Sequence, residues 1–225
     1  MSFWEITLFL AQGFGVTLLL FVLTLLFALP LGLVFAFGSM TKFTPLRWLT
    51  RGFVYIIRGT PLLLQLMIVV YLPGLAFGYP LPKWGIFGGN ADLAYFCGAL
   101  FGFVINYACY FSEIYRGGIE NIPRGQYEAG QVLGMTRMQI FFKVILKQVF
   151  KNVLAPISNE VITLVKDTAL ARSISVLEIY FAAYQILNRE MIIWPLFYTG
   201  VFYLVFNSLL TFLFNKLERR MARYS

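Results

Sequence analysis

Four long stretches of this sequence carry no charged side chain, and they limit what the chain can fold into more than any other feature. No Asp, Glu, Lys or Arg occurs between Glu5 and Lys42, Arg58 and Lys83, Asp92 and Glu113, or Glu190 and Lys216; these intervals are 36, 24, 20 and 25 residues long. Each holds the roughly 20 apolar residues that carry a helix through the ~30 Å hydrocarbon core of a bilayer. Only a structure that satisfies its own backbone can cross that core, so the intervals predict membrane-spanning helices. Their expected limits are about 12–38, with a kink near Pro30, then about 59–79, 93–112 and 191–215.

A fifth span is expected at about 149–165, VFKNVLAPISNEVITLV, although Lys151, Asn152, Pro156, Asn159 and Glu160 make it less apolar. The basic residues argue for it. With five spans and the N-terminus outside, 14 of the 18 Lys and Arg fall on the cytoplasmic side, and only Lys83, Lys166, Arg172 and Arg189 fall outside. That asymmetry is the positive-inside rule. Removing the fifth span would carry Lys216, Arg219, Arg220 and Arg223 to the outside and weaken the bias. The reading is therefore an all-α integral membrane protein, a single transmembrane domain over 1–225 with its C-terminus cytoplasmic.

Composition agrees and excludes other classes. The chain is 60% hydrophobic and 12% charged, whereas soluble globular chains carry about 25% charged residues. So few charges cannot cover a soluble enzyme, and neither a disordered chain nor a disulfide scaffold has this make-up. The net charge of +8 follows from basic cytoplasmic loops, so no nucleic acid partner is expected. Cys97 and Cys109 both fall inside the third span and read as packing residues. Upstream of the first span stands Glu5 and no basic side chain, unlike a cleavable signal peptide. Trp4, Trp48, Trp84 and Trp194 lie near the expected interfaces with membrane lipid and read as belt anchors.

The most polar stretch is the loop at about 117–147, between the third and fourth spans. Gly117-Gly118, Pro123 and Gly125 read as breakers that end the third helix near Arg116. From Gln126 the pattern turns helical, with Ala129, Val132, Leu133, Thr136 and Ile140 forming one small or apolar stripe. Glu128 suits the first turn of such a helix, and Gly134 predicts a bend or a second short helix. Periodicity alone is compatible with a helix lying in the lipid interface or with one offered to a cytoplasmic protein.

Glu128-Ala129, Gly134 and Leu146 stand at the spacings of the EAA loop, E-A-A, three residues, G, nine residues, I, one residue, L-P; Gly130, Val144 and Lys147 depart from it. The loop thus resembles that of ABC importer permeases. Arg58-Gly59-Thr60-Pro61 with Leu63, Gln65 and Leu66 resembles the R-G-T-P-x-L-x-Q-L segment of the polar amino acid permeases. Glu113, Arg116-Gly117-Gly118-Ile119, Pro123 and Gly125-Gln126 continue that subfamily's run, and Lys166-Asp167-Thr168-Ala169-Leu170 is similar to its K-D-T-S-L segment.

The resemblance implies a type I ABC importer permease of the bacterial cytoplasmic (inner) membrane, forming the pathway for polar amino acids. It implies a second permease copy or a sibling permease, ATP-binding cassette subunits, and an extracytoplasmic amino acid binding protein. Glu128, Ala129, Gly130 and Gly134 would couple the chain to the ATPase. The sequence contains no G-x-x-x-x-G-K-[ST] loop. No cofactor is therefore expected in this chain; ATP and Mg belong to the partner, and the chain is not an enzyme.

Glu160 falls about 17 Å along the fourth span, near mid-membrane. An acid there faces a cavity or a partner. Glu160, Thr163 and Asp167 share a helix face, and Thr60, Gln65 and Asn106 supply neutral donors on facing spans. These six, with Lys166, are the substrate-binding candidates. The amides at the helix start after Pro61 are free to meet a carboxylate. Arg58 reads as a cytoplasmic-surface anchor, and Lys166 as a partner of Asp167 or of a neighbouring acid. A structural reading of Glu160, bridging to a neighbouring helix, stands level with the substrate reading. An ion-coupled secondary carrier or channel is the competing function. The absence of His removes His-dependent catalysis and metal ligation, and no metal site is expected.

Overall fold

The structure is a computed structural model describing residues 1–222, so that of the basic cluster at the C-terminus Arg223 lies outside the described residues. Nine α-helices account for most of it: α1 (Phe3–Met40), α2 (Thr44–Gly59), α3 (Leu62–Phe77), α4 (Ala91–Glu120), α5 (Arg124–Val132), α6 (Arg137–Ile140), α7 (Leu146–Asp167), α8 (Ile179–Glu190) and α9 (Trp194–Ala222).

Helix α1 begins well before its apolar core. Ser2 and Glu5 form a capping box: the Glu5 amide donates to Ser2 Oγ at 3.3 Å and the Ser2 amide donates to Glu5 Oε2 at 2.7 Å. Two otherwise orphaned donors are thereby satisfied. The 38-residue helix continues through Pro30. Helices α1, α4 and α9 are each long and apolar enough to cross a membrane. At 22 residues α7 is about 33 Å long.

The segment expected as the second span is built differently. Helices α2 and α3 meet at a 104° bend across Thr60 and Pro61. Pro61 removes a donor and forces its predecessor out of the helical region, and Thr60 is extended at φ −117, ψ 147. Half of this broken element, α2, lies in what the sequence reads as loop. A second correction concerns Gly117-Gly118, which do not end the third helix: α4 runs to Glu120. Gly118 packs directly on Val153 Cγ1 of α7, with Val149 beside it. Glycine here is a close-approach residue, and the helix stops only at Asn121, before Pro123.

Close contacts give the directions of the helices. Gly98 meets Val70 and Gly102 meets Leu66, so α3 runs against α4. Gly32 meets Ala108 and Phe111, and aromatic pairs Phe3–Trp194, Phe14–Phe202 and Phe21–Phe206 follow α1 and α9 together; α1, α4 and α9 are parallel. Helix α7 runs against α4, from Val149 and Val153 at Gly118 to Asp167 at Tyr107. The chain passes the bundle five times in alternating directions. The core between these passes includes Leu20, Leu66, Phe103, Tyr107, Phe111 and Leu164.

Helix α8 was not anticipated. Glu178 caps it, accepting from the Tyr180 and Phe181 amides at 2.8 and 2.6 Å, and its Ile179, Ala182 and Ile186 pack with Ile6 and Leu10 of α1. The Met1 ammonium meets Glu190 at 3.2 Å, at the far end of α8.

Candidate functional site

The polar loop folds as two short helices. The turn between α5 and α6 is made by Gly134, whose φ of 70° is left-handed and suits a residue without Cβ. Thr136 then starts α6 with a capping box to Gln139. The apolar stripe expected along one helix is therefore split: Val132 and Leu133 are 88% and 78% exposed at the end of α5, while Ile140 is buried. Ile140, Ile122, Ile145, Val149 and Val153 form a small core that joins the loop to the ends of α4 and α7. Gly130 is part of that joint, since a Cβ there would lie 2.6 Å from Ile140 Cγ1. Glu128 and Ala129 are exposed. After α6, a π turn at Phe141–Ile145 leads without a break into α7.

Above this loop lies a cavity of about 300 Å³ whose lining includes Arg58, Tyr110, Glu113, Asn121, Asn152 and Glu160. Arg58 comes from the last turn of α2, just before the bend, and its side chain stays 40% exposed. Its guanidinium lies 3.6 Å from Glu113 and 5.0 Å from the centre of the Tyr110 ring. Arg116 holds Glu113 from the other side through Nε and Nη2, at 3.1 and 2.5 Å, and reaches Glu120 at 2.7 Å. Glu160, half-buried on α7, has no hydrogen-bond or ion-pair partner among the described residues. The cavity thus offers a cation on one wall and an unpaired carboxylate on another.

The remaining candidates are distributed elsewhere. Thr60, Gln65 and Asn106 do come together, but their donors are spent on one another and on the broken helix. Gln65 Nε2 donates to the carbonyls of Ile57 and Thr60 at 2.7 and 3.1 Å and to Thr60 Oγ1 at 2.9 Å. Asn106 Nδ2 donates to Gln65 Oε1 at 3.0 Å. Thr60 and Gln65 satisfy carbonyls beside the bend at Pro61, and Asn106 holds Gln65 in place. Asp167 accepts from Tyr107 at 2.7 Å and does not line the Glu160 cavity. Thr163 is half-buried between the two. Lys166 is exposed and makes no ion pair, with Asp167 or with another acid, among the described residues.

Counting from the membrane edge puts Arg58 at the surface, and its side chain is indeed 40% exposed; it also lines the same cavity as Glu160. Its place beside Glu113 joins two motifs that lie far apart in sequence.

The family described as binding-protein-dependent transport system inner membrane component matches residues 28–223. The L-cystine transport system permease protein of Bacillus subtilis (strain 168) is 38% identical over 99% of this chain and 89% of its own length. The arginine transport system permease protein of the same organism is 34% identical over 95% of this chain and 92% of its own. Among solved structures, an amino acid ABC transporter superposes with a TM-score of 0.83 at 28% identity, covering 98% of this chain and 99% of that one. The inward-facing MetNI methionine ABC transporter shares the fold, with a TM-score of 0.70 at 18% identity.

Proposed function

The chain belongs to the family of binding-protein-dependent transport system inner membrane components, and from that premise we propose that its cavity at Arg58 and Glu160 takes a polar, zwitterionic amino acid. The chain is the membrane subunit of an ATP-driven amino acid importer, and it is a transporter component with no catalytic role of its own. The observation that carries the substrate reading is the unpaired Glu160 facing a cavity that also holds Arg58. An ammonium group satisfies the first and an α-carboxylate the second. A carboxylate held at membrane depth without a partner is costly, and a transported cation offsets that cost transiently.

The docking loop explains how such a site is driven. In this reading α5 and α6 seat on an ATP-binding subunit at the cytoplasmic face, which places the N-terminus outside. The turn at Gly134 presents Glu128 and the exposed Val132 and Leu133 to the partner. Because α6, the π turn and α7 are continuous, displacement of the loop is transmitted to the helix that carries Glu160. Gly118 against Val153 passes the same displacement to α4, which carries Glu113. Rigid-body rocking of these helices against those of a second permease alternates access to the cavity. An extracytoplasmic binding protein supplies the amino acid on the other side.

The test is reconstitution in liposomes with the cognate ATPase and binding protein, followed by ATP-dependent uptake of labelled cystine, arginine and glutamine. Uptake that requires all three components supports the reading. ATP-independent uptake by the chain alone replaces it with an ion-coupled carrier.

A further inference from the structure

Helix α2 carries a feature that the transport cycle does not use. No acidic residue occurs between Glu5 and Asp92, so α2 and both its flanks carry positive charge only. Arg47 and Arg51 stand one turn apart, and neither makes an ion pair among the described residues. Arg51 Nε donates to the Ser39 carbonyl at the end of α1, at 3.0 Å, which fixes the side chain and leaves its two terminal nitrogens free. Beside them Trp48, Gly52 and Tyr55 follow at one-turn spacing. Gly52 has open space where a Cβ would be, so it leaves a gap between two large rings. The result is a hollow of about 500 Å³ lined by Arg47, Trp48, Arg51, Gly52 and Tyr55. Its rings are unusually bare, with Trp48 73% and Tyr55 80% exposed.

We propose that this hollow binds one anionic phospholipid by its headgroup, the phosphodiester held by Arg47 and Arg51 and the glycerol and upper acyl region lying against Trp48 and Tyr55. Guanidinium groups fit phosphate oxygens by paired hydrogen bonds. Indole and phenol rings suit the polar–apolar boundary at which a glycerol backbone sits. The position agrees: α2 turns 104° away from α3 and so lies across the bundle rather than along it, at the end where α4 leads into the docking loop. Assignment of that end to the cytoplasmic leaflet rests on the proposed function; the chemistry of the hollow does not. Because it adjoins Arg58 through the neighbouring cavity of about 220 Å³ lined by Arg51, Tyr55, Arg58 and Glu113, a bound lipid would brace the broken helix that positions Arg58.

The test reads lipid choice directly and needs no transport. In the full chain, Trp4, Trp84 and Trp194 are replaced by Phe so that Trp48 alone fluoresces. The protein is placed in phosphatidylcholine vesicles containing either brominated phosphatidylcholine or brominated phosphatidylglycerol as a minor component. Quenching per mole of brominated lipid is expected to favour phosphatidylglycerol by about fivefold or more, and the preference to shrink with added salt. Arg47→Gln with Arg51→Gln should bring the ratio near one. Gly52→Leu, which fills the hollow and keeps both arginines, should lower it too and covers the case in which the double variant does not insert. Equal quenching by both lipids in the parent, or a preference untouched by both variants, overturns the proposal. Absence of quenching by either lipid also overturns it and assigns the face to a second copy of the chain.

Discussion

The guanidinium of Arg58 lies 3.6 Å from the carboxylate of Glu113, closing one side of a cavity whose other side carries Glu160. Arg58 ends α2, Glu113 belongs to α4 and Glu160 to α7, so three passes of the chain contribute one charge each. The arrangement has both signs needed for a zwitterion. It also binds the bend of the second pass to the helix that leads into the α5–α6 loop.

Replacing either end of the inferred substrate clamp should weaken substrate binding without loss of assembly. For Glu160→Gln and Arg58→Gln the KM of ATP-dependent uptake is expected to rise roughly 10- to 150-fold, the effect of losing a charge-assisted hydrogen bond of ~1.5–3 kcal/mol. Uptake kinetics across several amino acids provide the measurement. Unchanged KM values in Glu160→Gln would make the residue structural.

If the α5–α6 loop docks on the ATPase as proposed, reversing its charge should uncouple the two halves of the machine. Glu128 is exposed on α5 and has no ion-pair partner among the described residues, which leaves it available to another subunit. In Glu128→Lys the permease is expected to insert normally while substrate no longer stimulates the partner's ATPase above its basal rate. Stimulation at the parental level removes Glu128 from the coupling contact.

The joint between α5 and α6 makes a packing prediction. A methyl group added in Gly130→Ala would stand 2.6 Å from Ile140 Cγ1 and 2.9 Å from its Cδ1. Overpacking of this kind costs ~1–3 kcal/mol, so Tm in detergent should fall by roughly 2–10 °C. The same substitution in an Ile140→Ala background should cost almost nothing, because the obstructing atoms are gone. Equal losses in the two backgrounds would show that the contact is not the cause.

Glu178, outside the spans and fully buried, gives a pH dependence. Burial raises its pKa from 4.5 to about 7, outweighing the Tyr180 and Phe181 amides, the Tyr203 hydroxyl and Arg172, all of which act downward. The folded state then binds the proton more tightly than the unfolded state. Stability is fully present below pH 4.5, declines as pH rises to about 7, and is level above that. The whole change is roughly 3 kcal/mol. Thermal melts across this window should show Tm falling in the parent and falling less steeply in Glu178→Gln. A parent profile without slope would mean that the carboxylate is ionised throughout.

Much of this protein was legible in its sequence because the relevant physics is local. A charge-free run of sufficient length must be buried in protein or lipid wherever it lies, so the intervals ending at Lys42, Glu113 and Lys216 coincide with the long apolar helices α1, α4 and α9. The loop spacing of Glu128, Gly134 and Leu146, together with the ordered segments at Arg58–Leu66, Glu113–Gln126 and Lys166–Leu170, identified the family, and Gly134 does terminate a helix with a left-handed residue. The polar residues of 149–165 keep α7 out of the set of strongly apolar helices, and one of them, Glu160, faces the cavity.

What the sequence did not determine depends on which distant segments meet. Gly117-Gly118 has the composition of a helix end, yet the approach of Val153 makes it a seam between α4 and α7. Thr60, Gln65 and Asn106 have the chemistry of substrate ligands, yet Thr60 and Gln65 donate to carbonyls beside the bend and Asn106 donates to Gln65 Oε1. Arg58 is a surface anchor by its position in the chain and a cavity residue by the 104° bend that follows it. Chain position fixes how deep a straight helix places a side chain; only tertiary packing fixes the angle at which a broken one enters. That angle, rather than any residue's identity, puts a cation and an unpaired carboxylate in the same cavity.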